Sequence, residues 1–239
     1  MKKNYIYVLM IIASIIIVVL SLYFRTIELK DVITGIIALF GTFIGATFAF
    51  RLNENKELEE LNSKRMDAIR MALFVLIRQH NAIQGMLEEY NTYESPIKRA
   101  FNLPAKKPAP YENLMISYTD LDFLLSESDP DFLLRLSIEE ERFFQTMESI
   151  KIRNEFFVNE VQVEMGRVIR NGTILEIEEL EQIVGQRIVH GALQSSANAY
   201  EFLNMTNESM DSIIKEFIAV AKNIYPDNRF IGYETRGLA

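Results

Sequence analysis

Cysteine and tryptophan are absent from this chain, and histidine occurs only twice among its 239 residues. The lack of cysteine excludes disulfides and thiolate chemistry. The sequence also has no HExxH pair, no phosphate-binding glycine loop and no serine nucleophile elbow. The glutamates at residues 139–141 and 176–181 are typical of first helical turns, where the helix macrodipole favours negative charge. We therefore expect the protein not to be an enzyme, and we expect no cofactor and no bound metal.

Charged residues are missing from two stretches near the amino terminus. Residues 5–24 read YIYVLMIIASIIIVVLSLYF and residues 32–50 read VITGIIALFGTFIGATFAF. Each is about 20 residues long, which is enough for a helix to cross a hydrocarbon core of about 30 Å. The first stretch is longer than the apolar part of a signal peptide, and no small-x-small cleavage site follows it. The sequence therefore predicts a two-helix transmembrane hairpin over residues 1–51.

The basic residues around these spans predict their orientation. Lysine and arginine are enriched on the cytoplasmic side of membrane proteins. The excess here lies on the two terminal sides, although the short connecting loop is not free of basic residues. We therefore expect a multi-pass protein of the inner (cytoplasmic) membrane with both termini in the cytoplasm. The terminal set is Lys2, Lys3, Arg51, Lys56, Lys64 and Arg65, and the loop set is Arg25 and Lys30.

The pattern beyond the spans is helical. Positions 69–90 place buried-type residues at spacings of three and four, which is typical of a heptad seam on one helix face. The seven residues at 71–77, MALFVLI, are apolar all round, so we expect them to be deeply buried. His80 lies on the seam and is expected to be a core residue, while His190 has no carboxylate at helical spacing. The seam comprises Ile69, Leu73, Leu76, His80, Ile83, Leu87 and Tyr90.

Capping signals divide the remainder into helices. Asp129-Pro130 predicts a short helix, Ser137 opens a capping box that predicts the start of a longer one, and Asn171-Gly172 predicts its end. The next helix is expected to continue through Gly185. Two long helices joined by so short a turn run antiparallel. The sequence therefore predicts an all-α protein.

The predicted domain organisation follows from these patterns. The hairpin at residues 1–51 precedes a cytosolic antiparallel helical bundle at residues 52–226, and a loose tail occupies residues 227–239. The chain has a net charge of −8, and the part beyond residue 51 is more acidic than the whole chain, because residues 1–51 hold five basic and two acidic residues. An acidic surface is repelled by phosphate backbones, so we expect no broad nucleic-acid binding.

Residues 95–113 hold four of the six prolines of the chain, together with four basic residues. Because proline fixes φ and lacks an N–H, we expect no helix there. One interpretation is a docking loop for an acidic or phosphate-bearing partner, or a polyproline II ligand. The other is a solvated connection between helices. The basic residues are Lys98, Arg99, Lys106 and Lys107.

The second span carries a row of small residues. Gly41 and Gly45 form a GxxxG pair, and Ala49 and Thr42 extend it. Small residues allow helix backbones to approach closely within lipid. The row predicts either packing of the two spans of one molecule or self-association between molecules, and the sequence leaves both open. Neither span has a charge that a carrier would need, although Thr34, Thr42 and Thr47 could face the lumen of an oligomeric pore.

The layout resembles the two-transmembrane effectors of bacterial anti-phage systems, including retron-associated ones. The resemblance rests on the hairpin, on FGTFIGATFAF at residues 40–50, and on ALFVLIRQHNAI at Ala72 to Ile83. It covers about the first 85 residues, includes no catalytic motif, and transfers no functional residue. What it implies is a toxic effector that damages the inner membrane when released.

Two functional hypotheses result. The first is a membrane-anchored effector, active in anti-phage defence, that a cytosolic protein or ribonucleoprotein partner restrains and that acts on the lipid bilayer when freed. The alternative is a passive membrane tether or scaffold for a cytosolic complex. Both assign recognition to the helical domain.

Overall fold

The computed structural model describes residues 14–20, 29–107, 109, 111–168 and 177–231, which fall into two compact units that divide between Ser63 and Lys64. Within these ranges no residue lies in a strand, so the all-α prediction is confirmed there. Residues 14–20 of the first predicted span are helical. The rest of that span, residues 21–28, the turn at Asn171-Gly172 and the end of the tail lie outside the described residues.

The longest helix, α1, spans Leu29–Asn91. It contains the second predicted span and continues through residues 51–55 without a break, since the sequence there has no proline or glycine. The most apolar window of α1 has a mean hydropathy of 2.0 and is not buried by other parts of the protein. Within the described part of the chain, α1 is the one helix long and apolar enough to cross a membrane.

In the second unit, α1 presents the predicted seam to the core. Ile69, Leu73 and Leu76 are fully buried, which confirms the three-and-four spacing. The prediction that MALFVLI is buried all round was wrong, because Met71 is 61% exposed and Phe74 is 41% exposed. α1 packs through one face only, so apolar residues on its other face remain at the surface.

The prediction that residues 95–113 exclude helix was also wrong. A short helix, α2, spans Pro96–Phe101, with the Ser95 hydroxyl accepting the Lys98 N–H at 3.2 Å. Pro96 occupies the first helical position, where no N–H is needed and its fixed φ suits the helix. Single 3₁₀ turns follow at Tyr111–Asn113 and Tyr118–Leu121, and α3 spans Leu124–Glu127.

Helix α4 spans Pro130–Phe156 and begins as predicted at Asp129, whose carboxylate accepts the Asp131 N–H at 3.1 Å. The prediction of a new helix at Ser137 was wrong. Its hydroxyl donates to the Leu134 carbonyl at 2.8 Å, so this capping residue is accommodated inside α4. A π-helical segment, Phe157–Val161, follows α4, and α5 spans Gln162–Val168.

Helices α6 (Ile177–Val184) and α7 (Gln186–Ile224) are separated at Gly185, where one continuous helix was expected. Gly185 has φ +86° and ψ 146°, a conformation nearly restricted to glycine, and it ends α6. α7 packs along α4 and contacts α2, α6 and the π-helical segment. α7 lies close to α4 at Gly191, where a Cβ would lie 2.5 Å from the Phe156 ring.

Two groups of buried side chains form the core of the second unit. The larger joins α1, α4 and α7, with Phe132, Phe143 and Phe217 fully buried. The smaller joins α2, the π-helical segment, α6 and the start of α7. Its members are Ala100, Phe157, Val161, Leu180, Val184, Ile188, Val189 and Ala192.

We predict that Gly185→Ala destabilises the protein by about 1–3 kcal/mol, because a Cβ strains the backbone at this φ and ψ. The matched control is Gly166→Ala in α5, where a Cβ would meet no atom within 4 Å. Alanine at position 166 should leave the free energy of unfolding unchanged or raise it by up to about 1 kcal/mol. Urea unfolding of the full chain in detergent, followed by circular dichroism, measures both. Equal effects of the two substitutions would contradict the prediction.

Candidate functional site

The small-residue row of the first unit lies on an exposed face of α1. Gly41, Thr42, Gly45 and Ala49 are all exposed. A Cβ added at Gly41 or at Gly45 would meet no heavy atom within 4 Å. The row is therefore not in close contact with any other part of the chain that the structure describes.

The half-buried face of this part of α1 is a different one. Ile36, Phe43 and Thr47 are half-buried, whereas their neighbours along the helix are exposed. At about 100° per residue, Ile36 lies opposite Gly45 and Phe43 lies about 200° from Gly41. The half-buried positions and the glycine row thus lie on opposite sides of the helix.

The threonines of the span are bonded within α1. Thr34 donates to the Lys30 carbonyl, Thr42 to Ala38 and Thr47 to Phe43, each at 2.8 Å. A hydroxyl that bonds the carbonyl one turn earlier needs no water or polar partner in lipid. These three residues therefore do not require a water-filled lumen.

In the second unit, the candidate site is the proline segment, defined here as residues 95–113. Arg153 of α4 holds it in place: its Nη2 donates to the carbonyls of Arg99 at 3.0 Å and Leu103 at 2.6 Å. The side chain is 2% exposed, and its guanidinium lies 4.7 Å from the centre of the Phe157 ring. Asn154 adds a bond from Nδ2 to the Lys106 carbonyl at 2.8 Å. The segment is therefore a packed part of the domain.

The chain just beyond the proline segment is held by Glu140, a second buried charged residue of α4. Its Oε1 accepts the Ile116 N–H at 2.8 Å and lies 3.4 Å from Gln79 Nε2. Gln79 in turn donates to the Leu114 carbonyl at 2.9 Å. Burial, together with the Glu140 carboxylate nearby, raises the pKa of Tyr118. One acidic and one basic side chain of α4 thus fix both ends of the same stretch.

The four basic residues predicted as a docking set have different surroundings. Lys98 pairs with Glu94 at 3.6 Å, and Lys106 pairs with Glu89 at 2.6 Å. Arg99 lies 4.1 Å from the Tyr200 ring centre and donates to the Tyr93 carbonyl at 3.0 Å. Lys107 is exposed and forms no ion pair within the described ranges. Partner docking by this set stays a prediction, and Lys107 is its most available member.

The two histidines occupy contrasting positions. His80 is 1% exposed, with Nε2 3.0 Å from Asn207 Oδ1, as expected of a core residue. Burial lowers the pKa of His80, against the opposing effects of Asn207 and Asp211. His190 is exposed and lies 3.0 Å from Glu181 Oε1. The helix break at Gly185 brings this pair together, so helical spacing alone did not reveal it.

Sequence reasoning missed both buried charges of α4. A signal was present, because Glu140 lies three residues before Phe143 and Arg153 lies three residues after Ile150, so that each charge neighbours an apolar position at helical spacing. Charged residues at such positions are buried only when paired or fully hydrogen-bonded. In the described part of the chain, no group of three metal-ligating side chains is found.

No family model, curated protein or solved structure matches this chain. The side chains described above are therefore the basis for assigning a function.

We predict that Arg153→Met destabilises the full chain by about 2–3 kcal/mol, because methionine leaves the Arg99 and Leu103 carbonyls without their charged donor. Lys98→Met is the control: it removes an equal charge from an exposed ion pair and should change stability by less than about 0.5 kcal/mol. Urea unfolding in detergent measures the difference. An effect of Arg153→Met as small as that of Lys98→Met would show that the buried guanidinium does not hold the segment.

Proposed function

We propose that the protein is a membrane-anchored helical effector of bacterial anti-phage defence that a cytosolic partner restrains and that acts on the inner membrane when released. One observation carries the proposal: α1 is a single helix whose amino-terminal part is an exposed apolar span and whose carboxyl-terminal part is a core element of the second unit. A partner that binds the second unit therefore binds a unit built around the same helix that enters the membrane.

Several finer features belong to this proposal. Residues 5–24 form the first span of a hairpin, and both termini lie in the cytoplasm, in agreement with the distribution of basic residues. The protein is then a multi-pass protein of the inner membrane. The partner is a protein or a ribonucleoprotein, since the acidic chain does not favour broad direct binding to nucleic acid.

The proposed cytosolic bundle is antiparallel. Contacts between α4 and α7 run in opposite chain directions: the rings of Phe132 and Phe217 lie 5.2 Å apart, while Thr146 and Thr206 are hydrogen-bonded at 2.7 Å. A residue later in α4 therefore contacts a residue earlier in α7. This order supports the antiparallel arrangement.

Expression of the chain alone in a heterologous bacterium tests the effector proposal. We expect growth arrest and loss of membrane potential, followed with a potential-sensitive dye. Residues 64–239, expressed without the spans, are the control and should leave the potential unchanged. Healthy, polarised cells with abundant inserted protein would contradict the effector and favour a passive tether or scaffold.

We further propose that the small-residue row mediates self-association in the membrane. The opposite face of α1 is the half-buried one, and both glycines are open. Close backbone approach through such a row is the usual basis of contact between helices in lipid.

We predict that Gly41→Ile and Gly45→Ile each reduce crosslinking between copies in membranes by at least about tenfold, since added bulk separates the two backbones. Leu39→Phe is the matched control: it also adds bulk to the span, but lies about 120–160° around the helix from the glycines. It should crosslink like the parent. Parental crosslinking by both isoleucine variants would exclude the row as an intermolecular contact, and failure of both to accumulate would place the row between the spans of one molecule.

A further inference from the structure

A small cavity lies between the proline segment, the end of α1 and α4. Its volume is about 160 Å³, and its polar lining comprises Glu89, Tyr90, Lys106, Lys107, Arg153 and Asn154. With Lys106, Lys107 and Arg153 against Glu89, positive charge exceeds negative charge by two in this lining. In a chain that is acidic overall, this excess marks a site suited to an anion.

Arg153 is the strongest feature of the cavity. It forms no ion pair within 4 Å in the described ranges, and its bonds go to two backbone carbonyls and to Asn154 Oδ1 at 3.0 Å. These bonds use three of the five N–H groups of a guanidinium. Two N–H donors and an uncompensated charge therefore remain at a side chain that is 98% buried.

Tyr90 supplies an independent observation. The side chain is 5% exposed, and its hydroxyl is buried without a hydrogen-bond partner among the residues that the structure describes. Buried hydroxyls are nearly always bonded, because leaving one unpaired is costly. A purely structural role of Arg153, capping the carbonyls of the proline segment, accounts for neither this open hydroxyl nor the unpaired Lys107.

A larger groove adjoins the cavity. Lys106, Lys107 and Asn154 line both, and the groove has a volume of about 1070 Å³. Phe144 and Met147 provide apolar surface at its wall. The π-helical segment contributes Val158 and Asn159, and π-helical turns occur frequently at functional sites.

The charges that line the groove determine which end of a ligand is favoured there. Glu141, Glu148 and Glu155 line the groove but not the small cavity, and Lys151, which lines the groove as well, is paired with Glu148 at 3.2 Å. Their carboxylates repel a phosphate and accept hydrogen bonds from hydroxyl or amino groups. An anionic group is therefore favoured at the basic cavity, and a neutral, hydrogen-bonding moiety is favoured in the groove.

We propose that this site binds a small phosphorylated organic molecule, with its phosphate in the cavity at Arg153, Lys106, Lys107 and Tyr90 and its organic part in the groove. A phosphate dianion matches the excess of two positive charges, and its oxygens accept from the free guanidinium N–H groups and the phenol. The proposal stands independently of the membrane function, because every residue involved belongs to the second unit.

Calorimetric titration of the full chain in detergent tests the site with three probes: adenosine 5′-monophosphate, adenosine and inorganic phosphate. We expect the monophosphate to bind tightest, since it alone occupies both cavity and groove. No binding of the monophosphate up to millimolar concentration would overturn the proposal. Adenosine binding as tightly as the monophosphate would overturn phosphate recognition, and inorganic phosphate doing so would overturn the role of the groove.

Two variants link the binding to the named groups. Tyr90→Phe removes a hydroxyl that has no partner, so folding stability should not fall, while monophosphate affinity should drop roughly tenfold. Lys107→Gln should weaken binding roughly five- to tenfold. Lys98→Gln, in the same segment but outside the cavity, should bind like the parent. Unchanged affinity in both Tyr90→Phe and Lys107→Gln would place any observed binding elsewhere and refute the site.

Discussion

The hydrogen bonds from Arg153 to the backbone of the proline segment fix much of what surrounds them. A guanidinium buried at 2% exposure is tolerable only when acceptors meet it, and here the Arg99 and Leu103 carbonyls do so. Arg99 lies in the short helix α2 and Leu103 lies just after it. This helix begins at Pro96. Burial lowers the pKa of Arg153, yet a guanidinium keeps its charge. The positions of the segment and of α2 beside the cavity thus depend on one buried guanidinium that is bonded to backbone carbonyls.

Arg153 holds the backbone of the proline segment, and Glu140 holds the backbone of the residues that come just after it. Both side chains project from α4, about 140° apart around the helix, and each reaches a backbone group that no regular secondary structure satisfies. A stretch rich in proline has few N–H groups to form its own structure. Its conformation is therefore set by polar groups of α4. This explains how a segment with the composition of a linker forms the wall of a pocket.

The sequence predicted the features that depend on local periodicity. The seam from Ile69 to Tyr90 and the cap at Asp129 were correct because helix period and capping are local properties. Local signals failed where a residue serves two roles. Proline both interrupts and begins helices, so α2 was missed, and Ser137 bonds within α4 as readily as it caps. Arg153 meets carbonyls 50 and 54 residues away, a relation that no spacing rule reveals.

Local signals also could not predict which face of the span in α1 is exposed. Sequence could locate Gly41 and Gly45 on one stripe but could not say which stripe of the span is the more exposed. That depends on where Ile36 and Phe43 lie in the folded chain. The sequence also could not predict the partners of the threonine hydroxyls, because a threonine that bonds its own helix and a threonine that faces water look the same in a sequence.

Residues 52–63 of α1 are exposed on every side, and no other described part of the chain covers this stretch of helix. An isolated helix of about twelve residues is marginal in water, chiefly because the first turn is costly to nucleate. Here both flanks are already helical, so this stretch only has to propagate. The i,i+4 pair of Lys56 and Glu60 at 4.0 Å adds little. The stretch is therefore helical because the segments on both sides of it are helical. If either flanking segment unfolded, the stretch would have a free end and would fray from that end.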